Sequence, residues 1–135
     1  MKSGHQLMVG LTCLAVVLAA APVAAIPLCP CEAGCSPIVG TSGDDVINGT
    51  GDCECIRGAG GNDVIHGNGG DDSICGEYGE DELFGDAGDD HLFGGPDDDE
   101  LNGGTGNDIL NGGKGEDVCR QGETYSGCEW IEAHI

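Results

Sequence analysis

Residues 58–75 read GAGGNDVIH-GNGGDDSIC, and the two halves from Gly58 to Cys75 are one pattern written twice. Glycine opens each nonapeptide and returns at the fourth place, Asp63 or Asp72 holds the sixth, and Ile65 or Ile74 the eighth. The same phase extends outward without a gap, from Gly40 to Arg120, as nine units beginning with GTSGDDVIN and ending with GGKGEDVCR. The sixth position carries Asp45, Glu54, Asp63, Asp72, Asp81, Asp90, Asp99, Asp108 and Asp117. The eighth carries Ile47, Ile56, Ile65, Ile74, Leu83, Leu92, Leu101, Leu110 and finally Cys119. Acid and aliphatic in strict phase predict a ladder of stacked rungs, and the charge of that ladder demands cations.

Glycine fills position one in all nine units and position four in seven. Such glycines permit positive φ and close backbone approach, so positions one to six are expected to form a tight turn. Positions seven to nine are expected to form a short extended stretch, with position eight inward and seven and nine outward. A helix is excluded, because glycine this dense costs about 1 kcal/mol per residue there. Collagen is excluded because glycine does not recur every third residue. A turn that reverses the chain makes two units one coil of 18 residues, so units of equal parity stack. One edge then holds Asp45, Asp63, Asp81, Asp99 and Asp117, and the other Glu54, Asp72, Asp90 and Asp108. Rungs of a parallel sheet lie about 4.8 Å apart. Successive carboxylates along an edge therefore repel unless something positive lies between them. The expected fold is all-β, a parallel β-roll (β-solenoid) of about five coils with disulfide-rich ends.

The formal charge of −21, from 25 acids against four Lys or Arg in 135 residues, excludes nucleic acid and anionic lipid as partners and points to cations. Acidic, glycine-rich composition with few aromatics would by itself read as disorder; the periodicity reverses that. Residues 1–25 read as a secretory signal peptide: Lys2, an apolar run from Leu7 to Ala20, and small residues at Val23-Ala24-Ala25 for cleavage before Ile26. No later segment is apolar enough to span a membrane. Residues 26–39 are a Cys- and Pro-rich lead-in, 40–120 the array, and 121–135 a terminal cap containing Tyr125, Cys128, Trp130 and Ile131.

Cys13 falls in the signal segment, leaving Cys29, Cys31, Cys35, Cys53, Cys55, Cys75, Cys119 and Cys128. An even number in a short exported chain reads as disulfides. Cys119 is expected to pair with Cys128, and Cys29, Cys31 and Cys35 with Cys53, Cys55 and Cys75 in an order the sequence leaves open. A zinc knot at Cys29-Pro30-Cys31 plus Cys35 is the weaker reading in an oxidising compartment.

Units such as GAGGNDVIH (58–66), GNGGDDSIC (67–75), GDAGDDHLF (85–93) and GGTGNDILN (103–111) resemble the RTX family, the hemolysin-type calcium-binding nonapeptide repeat. Its pattern is G-G-x-G-x-D-x-U-x, with U a large aliphatic. The resemblance covers the 81 residues of the array. It implies Ca²⁺ between stacked turns, held by turn carbonyl oxygens and the position-six Asp. Ca²⁺ is a hard ion that takes six to eight oxygens, which such turns supply. Carried over by position, the implied carboxylate ligands are Asp45, Asp63, Asp72, Asp81, Asp90, Asp99, Asp108 and Asp117. The implied carbonyl donors are Gly58, Gly61, Gly67, Gly70, Gly76, Gly79, Gly85, Gly88, Gly103 and Gly106. The second unit, GTGDCECIR, departs with Asp52, Cys53, Glu54 and Cys55, so disulfides are expected to replace calcium there. The seventh departs with Asp97 at position four.

Family proteins usually carry a large toxin or enzyme domain and leave the cell through a dedicated exporter. Neither feature is read here, so toxin or protease activity is not expected. An EF-hand is excluded by the missing motif and helices. His66 and His91 take outward positions and read as solvated, and a Cys75–His66 dyad is discounted by the even cysteine count. Phe84 and Phe93 read as surface packing, and Trp130 as a cap residue. The expected protein is secreted, non-enzymatic and calcium-binding, with folding coupled to several Ca²⁺ ions. The alternative is a calcium-stabilised structural or adhesive protein whose positions seven and nine recognise an extracellular protein or glycan partner.

Overall fold

The computed structural model describes residues 29–132; the expected signal peptide of residues 1–25, with Cys13, and residues 133–135 of the expected cap lie outside them. Among the described residues there are twelve strands and no helix. The odd strands form one parallel sheet: β1 (Ser36–Val39), β3 (Glu54–Gly60), β5 (Ser73–Tyr78), β7 (His91–Pro96), β9 (Ile109–Lys114) and β11 (Thr124–Ser126). The even strands form the other: β2 (Val46–Asn48), β4 (Val64–His66), β6 (Glu82–Ala87), β8 (Glu100–Thr105), β10 (Val118–Arg120) and β12 (Trp130–Glu132). Registers such as Ile56↔Ile74, Leu92↔Leu110 and Leu83↔Leu101 place equal repeat positions on equal rungs. The expected parallel β-roll of about five coils is the observed fold, and the flanks lengthen each sheet to six strands.

The core is a single file of position-eight side chains contributed alternately by the two sheets. Ile56, Ile65, Ile74, Leu83, Leu92, Leu101, Leu110 and Cys119 are fully buried. Ile38 packs against one end of this file, and Tyr125 and Cys128 against the other. Period-two alternation then turns positions seven and nine outward.

The turn is shorter than the sequence reading gave it. Strands β5 to β9 each run six residues, from position seven through position three of the next unit, leaving only positions four to six for the reversal. Position nine does not end the ladder: the N–H of Gly49 donates to the His66 carbonyl, and that of Gly67 to the Phe84 carbonyl. Pairing therefore carries through the position-one glycine. The strand bends at position two, where Ala59, Asn68, Glu77 and Asp86 have φ of 85, 73, 79 and 72°. At position four, Asp97 takes φ 93° where glycine stands in neighbouring units, so the seventh unit keeps the common path.

Four disulfides fasten the ends: Cys29–Cys75, Cys31–Cys55, Cys35–Cys53 and Cys119–Cys128. The first three pin the lead-in across the early coils, and the order left open by the sequence is now settled. The sulfurs of Cys29, Cys31 and Cys55 lie within 4.8 Å of one another because two bridges are neighbours there. On the outer faces Arg57 pairs with Glu77 and Arg120 with Glu100. His66 is half-buried rather than fully solvated: its ring stacks on Phe84 at 4.5 Å, and Nδ1 lies 3.1 Å from Asp86. Cys75 sits on the opposite sheet and is bridged to Cys29, so no Cys75–His66 pair forms.

Candidate metal centre

Each position-six acid stands at the end of a turn, immediately before its strand or as its first residue, and this fixes where its two oxygens go. Oδ1 accepts the backbone N–H of the acid one coil earlier. The file runs Asp45 to Asp63, Asp63 to Asp81, Asp81 to Asp99 and Asp99 to Asp117 on one edge, at 2.8–2.9 Å. On the other edge it runs Glu54 to Asp72, Asp72 to Asp90 and Asp90 to Asp108, at 2.7–3.0 Å. The acid thereby closes the orphan donor that a tight turn leaves behind.

Oδ2 has a different fate. In Asp63, Asp72, Asp81, Asp90, Asp99, Asp108 and Asp117 it is buried and has no hydrogen-bond partner, and none of these residues is more than 3% exposed. Each of these oxygens points to the space beside the position-one glycine of its own unit. A Cβ on Gly58 would strike Asp63 Oδ2 and the Gly76 carbonyl; on Gly67, Asp72 Oδ2 and the Gly85 carbonyl; on Gly85, Asp90 Oδ2 and the Gly103 carbonyl. Glycine at position one is thus required by close approach, not by its φ. A carboxylate oxygen and a carbonyl one coil away converge on a cradle that a side chain would fill.

The residues implied by the resemblance divide between two files. The carbonyls of Gly58, Gly67, Gly76, Gly85 and Gly103 lie with the acid of the preceding coil. The position-four carbonyls form a separate file along the turn: Gly61 against Gly79, Gly70 against Gly88, and Gly88 against Gly106. Asp45 stands apart from the other Asp residues, because its Oδ2 accepts from the Thr41 N–H at 2.6 Å and the Thr41 hydroxyl at 2.9 Å. Glu54 is likewise satisfied, by the Thr50 N–H at 2.9 Å and the Thr50 hydroxyl at 2.5 Å. Its neighbours Cys53 and Cys55 are bridged to the lead-in.

Burial raises the pKa of the orphaned acids; the backbone N–H each accepts opposes this, and neighbouring carboxylates add to the rise. Asp72 and Asp81 are pushed up to about 6, Asp90 to about 7 and Asp99 to about 8. Asp63, Asp108 and Asp117 move in the same direction. For Asp108 the leading neighbouring charge is Glu123, and for Asp117 it is Glu129.

Sequence reasoning missed three groups. Thr41 and Thr50 escaped because a single Thr at position two breaks no pattern. The position-five side chains escaped because position six dominated the reading. Asp44, Asn62, Asp71, Asp89 and Asp98 each accept a backbone N–H from the next coil at 2.8–3.2 Å. The signal was present, since every position-five residue except Cys53 is Asp, Asn or Glu. Glu123 and Glu129 lie beyond the array, where the period changes.

The donors lining both edges are all oxygen, carboxylate and carbonyl, with orphaned negative charge held out of water. That set fits a hard divalent cation of high coordination number and suits neither a thiophilic nor an imidazole-seeking metal. All-oxygen cradles stacked along both edges of a parallel β-roll define a calcium-binding solenoid. Four copies of the RTX calcium-binding nonapeptide repeat match residues 38–52, 56–83, 76–110 and 84–119, the last three overlapping, and the chain belongs to that family. Neither a curated protein nor a solved structure gives a match. Its cofactor and partner is therefore Ca²⁺.

Proposed function

We propose that the protein is exported and binds several Ca²⁺ ions reversibly, with folding of the array coupled to their uptake and no turnover of a substrate. The observation that carries this reading is the set of seven buried, unpartnered Oδ2 atoms. A buried carboxylate oxygen without a partner costs at least about 1–3 kcal/mol, and seven of them weigh against the metal-free coil. Ca²⁺ seated beside Asp63, Asp72, Asp81, Asp90, Asp99, Asp108 and Asp117 would remove that cost. Each site filled only in the folded state would add RT ln(1 + [Ca²⁺]/Kd) to stability.

Export is supported by the signal-like residues 1–25 and by four disulfides, which persist in oxidising compartments. Extracellular calcium modules commonly have Kd of roughly 10⁻⁴–10⁻³ M. A chain of that affinity stays open where calcium is scarce and closes outside the cell. Calorimetric titration of the oxidised chain, paired with circular dichroism in calcium and in chelator, tests the reading. Saturable uptake of several ions with a gain of β signal is expected; identical spectra would defeat the coupling.

A further inference from the structure

The nine-residue period ends at Arg120 with Asp117 as its last position-six acid, yet the two edge files do not end there. Glu123 stands immediately before β11 and Glu129 immediately before β12, each in the register of a position-six acid. From Asp117 to Glu123 to Glu129 the spacing is six residues, so the flank keeps the strand and the acid and drops three residues of turn. Glu123 Oε2 accepts the Asp108 N–H at 2.6 Å, and Glu129 Oε2 accepts the Asp117 N–H at 2.9 Å. These bonds repeat the Asp-to-Asp link of every earlier coil.

The carbonyl side of each cradle is rebuilt as well. A Cβ on Gly103 would strike Asp108 Oδ2 together with the Gln121 carbonyl, and one on Gly112 would strike Asp117 Oδ2 together with the Gly127 carbonyl. Asp108 and Asp117 are 1% and 0% exposed, and both Oδ2 atoms lack a partner. The Cys119–Cys128 bridge ties β10 to the segment just before Glu129. The flank is thus held as a shortened copy of the coil it follows.

Resting on the calcium reading above, we propose that residues outside the repeats complete the last Ca²⁺ site on each edge. Glu123 and the Gln121 carbonyl serve the site at Asp108, and Glu129 and the Gly127 carbonyl serve the site at Asp117. The flank is then a calcium-dependent closure of the array, not an inert plug.

The test uses the oxidised full chain, with terbium as a luminescent stand-in for calcium and Trp130, the single tryptophan, as the sensitiser. Glu123→Gln and Glu129→Gln keep an oxygen to accept the Asp108 and Asp117 N–H while removing charge, so the coil is retained; circular dichroism in calcium checks this. Asp63→Asn and Asp72→Asn, at the far end, serve as array controls. Expected is strong Trp130-sensitised emission in the parent and in both controls, largely lost in Glu129→Gln. Calorimetry should show one site weakened by about tenfold or more in each Glu variant, since affinity follows ligand charge. Glu variants that titrate as the parent in both measurements, while the Asp controls lose a site, would overturn this proposal and leave the array reading standing. No change in any of the four variants would overturn both.

Discussion

Asp99 divides its two oxygens between duties that pull in opposite directions. Oδ1 holds the Asp81 N–H at 2.9 Å, while Oδ2 is buried without a partner and the pKa rises to about 8, chiefly through burial. Asp99→Asn keeps an acceptor for Asp81 and removes the buried charge. In chelator, at a pH above about 8 where the Asp99 carboxyl is ionised, the variant should therefore be more stable than the parent, by about 1–3 kcal/mol, the ordinary cost of an unsatisfied buried group. In millimolar calcium the order should reverse, because the site has lost its charge. Thermal melts under both conditions check this crossing, and a variant less stable in both would contradict it. Gly85 supplies the complementary case. Its Cβ would meet Asp90 Oδ2 and the Gly103 carbonyl, and the adjoining Phe84 carbonyl is held by the Gly67 N–H. Gly85→Ala should cost about 1–3 kcal/mol by overpacking and should weaken calcium uptake, as measured by melts and calorimetry. Ala59, at φ 85°, is expected to behave in the opposite way. Ala59→Gly relieves a left-handed residue and should gain about 0.5 kcal/mol, because the relieved strain slightly exceeds the added chain entropy.

Among the elements, the two ends of the roll are built differently. The first coil satisfies Asp45 and Glu54 with Thr41 and Thr50, two disulfides lash the lead-in to that coil, and a third, Cys29–Cys75, reaches the second. Thr50→Val should leave the Glu54 carboxylate buried and short of donors, costing about 1–3 kcal/mol whether or not calcium is present. Equal loss in calcium and chelator, read from melts, distinguishes this from the calcium-dependent loss expected at Gly85. What could be read beforehand follows the same division. Position eight, the two-edge partition of the acids and the parallel stacking were legible because each is a consequence of period alone. Strand length was not, since it depends on whether the position-one N–H finds a carbonyl on the next coil, as Gly67 does at Phe84. Thr41 and Thr50 were invisible because a cap is defined by the atom it reaches. Glu123 and Glu129 were invisible because a search at nine residues passes over a spacing of six.

Across the whole molecule the acid files make stability and pH oppose each other in a way that calcium inverts. Asp72 and Asp81 rise to about 6, Asp90 to about 7 and Asp99 to about 8, each from the ordinary aspartate value of 3.8, and burial is the largest cause throughout. Between that value and the raised ones, the folded, metal-free chain binds more protons than the unfolded chain. Its stability therefore falls as pH rises through that window, and is recovered on acidification. The direction is opposite to that of an aspartate in a salt bridge, whose lowered pKa makes acid destabilising. On the calcium reading proposed above, protons and Ca²⁺ would compete for the same Oδ2 atoms, so calcium affinity should have the reverse dependence and drop as pH falls from about 8 to about 6. The net charge of −21 reinforces both trends, since neutralising any edge acid also relieves self-repulsion. Calcium-stripped protein should accordingly gain β signal on going from about pH 8 to about pH 5, with no metal added. Calcium-saturated protein should show little change until protons displace the ions. Circular dichroism across that range, with ionic strength fixed so that screening does not mimic protonation, reads both limbs. A stripped chain that loses structure toward pH 5 would mean the Oδ2 atoms are not the groups that hold the metal-free roll open.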